Sequence, residues 1–117
     1  MMFASLSCEY PTHDVMRDRT GLKLYRLDEV KASADMTVKT ESRLEVWSDN
    51  RNPAATTAIG QHFRTITRAD GTINIDTSAN VRSTEDAIHV ALDLEVRLNG
   101  LPHHQRRWVE TFERKLL

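Results

Sequence analysis

Between Asp86 and Asn99 the chain alternates strictly, with Ile88, Val90, Leu92, Leu94, Val96 and Leu98 on one parity and His89, Asp93, Glu95 and Arg97 on the other. Successive side chains of a strand point to opposite faces, so this run predicts a long strand with one buried face. On a helix the same residues would be spread around every side. Asn99-Gly100 follows, a pair suited to the positive φ angles of a two-residue hairpin, and residues 103–114 are expected to return antiparallel. In that return Trp108 and Phe112 share a parity with Arg106 and Glu110, while Val109 faces the other way. Such a mixed strand suits the edge of a sheet.

Upstream, Asp70-Gly71 predicts a turn between Phe63-Arg64-Thr65-Ile66-Thr67 and the run Ile73, Ile75, Thr77, Ala79, Val81, which alternates with Asn74, Asp76, Ser78 and Asn80. Met36, Val38, Thr40, Ser42, Leu44 and Val46 alternate in the same way with Thr37, Lys39, Glu41, Arg43 and Glu45. Ser48-Asp49-Asn50-Arg51-Asn52-Pro53 collects turn formers and a proline without a backbone donor, and predicts an exposed loop. Residues 22–27 fit a short strand, although Leu24, Leu27 and Val30 also suit a turn or two of helix. Residues 1–20 show no period and are expected to be an N-terminal arm, with 21–117 a single β-domain. The predicted fold is all-β: an antiparallel meander of five to six long strands forming a sandwich-like or strongly curved sheet, with little helix. No amphipathic helix is in sight to cover the apolar parity, so the cover must be curvature, the arm or another chain.

At 117 residues the chain has room for one core. Sixteen basic and seventeen acidic residues leave a net charge of -1, which supplies no field to attract nucleic acid or anionic lipid. Cys8 is the single cysteine, so no intrachain disulfide forms, and its neighbours offer no metal-ligand spacing. The opening residues lack a basic flank and soon meet Glu9, Pro11, His13 and Asp14, unlike a secretion signal. No stretch reaches the roughly eighteen apolar residues of a membrane span. A cytoplasmic protein is expected, with no nucleic-acid and no membrane partner.

Candidate chemistry is sparse. His103-His104 would point to opposite faces of a strand and not chelate one ion. His89 and Asp93 lie four residues apart, about 13 Å along a strand, too far to bond. Glu85-Asp86 suits a solvated strand start. The four glycines, Gly21, Gly60, Gly71 and Gly100, make no phosphate loop, and no Gly-x-Ser-x-Gly elbow is present. No serine has a recognisable general base at usable spacing. Arg106-Arg107-Trp108 resembles a fragment of a nucleic-acid surface, but Glu110 and Glu113 oppose phosphate, and the expected arrangement is Trp108 in the core with the arginines paired across strands. No catalytic, cofactor-binding or metal residue is assigned, and no cofactor is expected.

Arg68-Ala69-Asp70-Gly71, Ile73-Asn74-Ile75-Asp76-Thr77, Val81 to Val90, Leu92-Asp93-Leu94-Glu95-Val96 and the closing Arg106-Arg107-Trp108-Val109-Glu110-Thr111 and Arg114-Lys115-Leu116-Leu117 together resemble the C-terminal β-sandwich region of CocE/NonD-type serine hydrolases, relatives of cocaine esterase and Xaa-Pro dipeptidyl-peptidases. The resemblance covers roughly residues 37–117. It departs at Thr72, where the family often has an aromatic residue, and at Glu113-Arg114, where it often has Pro-Arg. It implies a jelly-roll-like domain that packs against an α/β-hydrolase carrying the catalytic Ser, Asp and His, none of which maps onto this chain. The expected function is a non-catalytic domain that self-associates, as a homodimer, or serves a hydrolase partner chain. The alternative is a carrier whose apolar pocket is lined by Met36, Val38, Phe63, Ile88, Leu92 and Leu94. Acid-base chemistry on Asp76, Glu95 and His89 is the third reading.

Overall fold

A computed structural model describes residues 3–114 and contains seven strands, β1 (Phe3–Asp14), β2 (Arg19–Ser33), β3 (Met36–Asp49), β4 (Thr56–Arg68), β5 (Gly71–Ser83), β6 (Ala87–Leu98) and β7 (Leu101–Glu113). Each pairs antiparallel with the next, and their order in the sheet is their order in the chain. The all-β antiparallel meander expected from the alternation is therefore the fold, and the described residues include no helix. Met1, Met2 and the end of the basic tail, Lys115-Leu116-Leu117, lie outside the described residues.

The turns form where the sequence places them. Asn99 and Gly100 have φ of 52° and 81°, the pair of positive angles that lets a two-residue hairpin follow the twist of its strands. In the β3–β4 loop, Asp49 Oδ1 accepts the backbone N–H of Arg51 at 2.8 Å and of Asn52 at 3.2 Å, which closes the turn. Three expectations need correction. There are seven strands, not five or six. Residues 3–14, expected within an arm, form β1, and residues 22–27 are the middle of a 15-residue strand. The helical spacing of Leu24 and Leu27 has a simple cause, since an odd separation puts them on opposite faces of β2.

The register assigns every side chain to a face, because directly opposed residues share one. On one face run the rows Leu22–Val46–Ala58–Val81–Val90 and Leu24–Leu44–Gly60–Ala79–Leu92–Trp108, with Val30–Val38–Ile66–Ile73–Leu98 nearer the other end. The opposite face carries rows such as Lys39–Thr65–Asn74–Arg97 and Arg43–Gln61–Ser78–Asp93–Arg107. The sheet is open: β1 and β7 are its edges, and every close approach between strands is between immediate neighbours. Of the two layouts expected, one curved sheet forms and no second layer packs on it.

The dimensions follow. Extents of 53 × 30 × 28 Å show strong twist, since a flat sheet is only about 10 Å deep. The radius of gyration is 17.9 Å, against about 13 Å for a compact domain of this length. The accessible surface is 8532 Å², where a compact monomer of 13.4 kDa exposes about 6,500 Å². Among the described residues only Trp47, 6% exposed, is buried.

Candidate functional site

The feature that stands out is the apolar face. Leu44, Leu92, Leu98, Leu101, Trp108 and Phe112 on it are all exposed, and its remaining aliphatic residues are half-buried. Alternation in β3, β5 and β6 puts the large residues there, and the sheet provides nothing above them. Within the face, small residues on β4 and β5 leave a groove of about 410 Å³. Gly60, Thr77 and Ala79 form its floor, and Leu92, Leu94 and Trp108 its higher wall.

Ser42 on β3 and His62 on β4 meet beside this groove, with Ser42 Oγ 2.8 Å from His62 Nδ1. The sequence does not announce this serine–histidine contact, because the two are twenty residues apart. Nucleophilic catalysis needs more than this contact. Among the described residues no carboxylate bonds His62 to orient it. The two strands and β5 are each paired on both sides, so their amides serve the ladders and none is left to stabilise an oxyanion. The pair is a cross-strand polar contact within the face.

No family model, curated protein or solved structure matches the chain.

The other candidate residues are scattered by the register. Phe63 is opposite Asp76, which puts it on the polar face and removes it from the set Met36, Val38, Ile88, Leu92 and Leu94. Asp76 and Glu95 are direct partners, but Arg97 Nη2 donates to Asp76 at 2.6 Å and Arg97 Nε stands 3.9 Å from Glu95. His89 is six residues from Glu95, about 20 Å along β6, and bonds Thr111 instead. His103 and His104 are exposed on β7, and the described residues contain no cluster of three or more metal-ligating side chains. Asp86 accepts from Thr84 Oγ1 at the start of β6, a turn contact.

Arg107 stands 3.7 Å from Asp93 across the strands, as expected. Trp108, however, is not in a core: it is 36% exposed, with Arg106 over its ring at 4.6 Å. The edge position explains this, since a residue of β7 has a neighbour on one side only. Cys8 is a free, exposed thiol. None of the described helices or strands is a helix long and apolar enough to cross a membrane.

Proposed function

We propose that this chain is a non-catalytic association domain whose apolar face is covered by the same face of a second copy. The observation that supports this reading is the uncovered face itself, in a sheet whose surface exceeds that of a compact monomer by about 2,000 Å². A stable protein interface buries about 800 Å² per partner, well within that excess. Two such sheets packed about 10 Å apart with their strands roughly 30° from parallel make a β-sandwich, one layer from each protomer. A twofold arrangement needs only one self-complementary patch and closes on itself. Three of the charged residues on the face fit such packing: Arg26 and Asp28 neutralise each other at 2.6 Å, and the long stem of Arg64 can carry its head to the rim.

The resemblance to CocE/NonD tails supports a second reading, in which a hydrolase chain takes the place of the second copy. The groove under Trp108 supports a third, a carrier of an apolar ligand. A cytoplasmic location, with Cys8 kept as a thiol, belongs to the same proposal. Light scattering coupled to size exclusion, over a dilution series into the low micromolar range, tests the leading reading. A dimer mass without bound ligand in native mass spectrometry is expected. A monomer at every concentration would overturn it, and a co-purifying small molecule would favour the carrier.

A further inference from the structure

On the polar face, at the end of the sheet where β1 turns into β2, a cleft of about 350 Å³ lies between Trp47 and Arg82. The register builds it. Opposite Trp47 on one side is Gly21, which has no side chain, and on the other is Thr57, which is followed across the sheet by Arg82. The indole lies down over Gly21, and the short Thr57 leaves a gap between the ring and the next large side chain. The described groups around that gap include three guanidinium groups, Arg17, Arg19 and Arg82, and one carboxylate, Asp49.

The charges are unevenly committed. Asp49 Oδ1 already accepts two backbone N–H groups of its own loop. Arg19 is held in place by stacking on Trp47, 4.0 Å from the ring centroid, and by donating from Nε to Asp14 Oδ2 at 3.3 Å. Its two terminal nitrogens donate to nothing among the described residues, so a fixed guanidinium fork presents unused donors beside the cleft. Arg82 is exposed and has no partner among the described residues, and the Arg17 guanidinium reaches only a 4.0 Å contact with Asp14. Below this cationic rim the lining is mostly hydrocarbon, from the Trp47 edge, the Ala55 methyl and the arginine stems, with Thr57, Ser83 and Thr84 completing it. Cationic rim and apolar wall together select an amphiphilic anion, because a guanidinium fork matches the paired oxygens of a carboxylate or phosphate, and the indole edge with the arginine stems gives an apolar wall for the body that carries them.

We propose that this cleft binds a small organic anion, a carboxylate or phosphate carried on an aromatic ring. The volume is at the lower end for ligand pockets, which fits one ring and one anionic group. The site is on the face opposite the proposed dimer surface, so it stands or falls independently of self-association. Tryptophan emission in Trp108→Phe, where Trp47 is the only indole left, reads the site directly. Benzoate, phenyl phosphate and inorganic phosphate are the probes. The expected result is saturable quenching by benzoate or phenyl phosphate, at least tenfold weaker after adding Arg82→Gln and weaker again at raised salt. The tighter of the two aryl anions identifies the group preferred. Inorganic phosphate should bind more than tenfold less well. Arg82→Gln removes an exposed, unpaired side chain and is expected to fold. Arg19→Lys keeps the charge but not the fork, and should weaken binding severalfold. Absence of saturation with both aryl anions, undiminished binding in a folded Arg82→Gln, or inorganic phosphate binding equally well would each overturn the proposal.

Discussion

The two tryptophans are on opposite faces of one sheet and have opposite fates. Trp47, on the polar face, is 6% exposed, and Trp108, on the apolar face, is 36% exposed. Each has an arginine over its ring, at 4.0 Å for Arg19 and 4.6 Å for Arg106, so the cation does not make the difference. Neighbours do. Trp47 is in a strand flanked on both sides, its ring rests against Gly21, and its indole N–H donates to Glu45. Trp108 is in the edge strand, with Leu92 as its one cross-strand neighbour. In a single layer, burial is made sideways, by what lies next to a residue within its own face. Residues on the apolar face have partners of the right kind beside them and nothing above, which is why that face is the one proposed to receive a second copy.

The largest effects should therefore come from the Trp47 corner. A Cβ at Gly21 would stand 2.4 Å from the Val46 carbonyl oxygen and 2.7 Å from the Trp47 ring, and backbone cannot yield to it. Gly21→Val and Trp47→Ala are each expected to cost about 3 kcal/mol, a large part of the roughly 5–15 kcal/mol that holds a typical domain together. Urea denaturation measures both. Trp108→Ala should cost clearly less in the dissociated protein, and an equal loss would break the comparison.

Next in size is the response of the apolar face. Leu92 is 40% exposed in the single chain, so Leu92→Asp would bury a carboxylate only in the proposed dimer. Its main expected effect is on assembly: the mass by light scattering should fall from dimer to monomer, because an unpaired charge buried in an interface costs several kcal/mol. Unfolding of the domain, the outcome expected of a core strand, would instead indicate a buried face within one chain. Asp93→Asn, one residue on and facing the other way, removes an exposed pair with Arg107 and should change stability by less than about 0.5 kcal/mol. Equal effects of the two would mean the faces are wrongly assigned.

These contrasts also mark what the sequence makes legible. Strands β3, β5 and β6 announce themselves because their large aliphatic residues all fall on one parity. Asn99-Gly100 and Asp70-Gly71 mark their turns through backbone conformation. Strand β1 is silent, since an edge strand with exposed residues on both faces, such as Leu6, Cys8 and Tyr10 beside Ser7, Glu9 and Pro11, has no reason to alternate cleanly. The contact of Ser42 with His62 depends on register, which composition does not encode. The β3–β4 loop does hold a signal, because both residues are ten positions from Asn52 and a symmetric hairpin about that loop pairs them. Phe63 suits the apolar face by its character, whereas its parity, shared with Gln61 and Thr65, places it on the other.

The smallest expected effect is at the turn that closes the Trp47 end. Asp18, in the left-handed region at φ 50°, accepts from Asn50 Nδ2 at 3.1 Å and from Arg51 Nε at 3.1 Å, and so ties the β1–β2 turn to the β3–β4 loop. The Asn50 hydrogen bond and then the Arg51 guanidinium hold its carboxyl below the usual carboxylate range, against a smaller opposing effect of desolvation. A carboxyl whose folded pKa is depressed adds stability that is fully present above its unfolded pKa and is lost as pH falls through the folded value. Asp18→Asn is the fitting variant, because asparagine tolerates the same left-handed backbone and can still accept from Asn50, while the ion pair with Arg51 is lost. At neutral pH the variant should melt slightly below the wild type. On acidification through the carboxylate range, below about pH 4, the wild type loses this contribution and the gap should close. A melting difference that stays constant from neutral to acid pH would show that Asp18 acts through turn conformation alone and that its ion pair adds nothing to this end of the sheet.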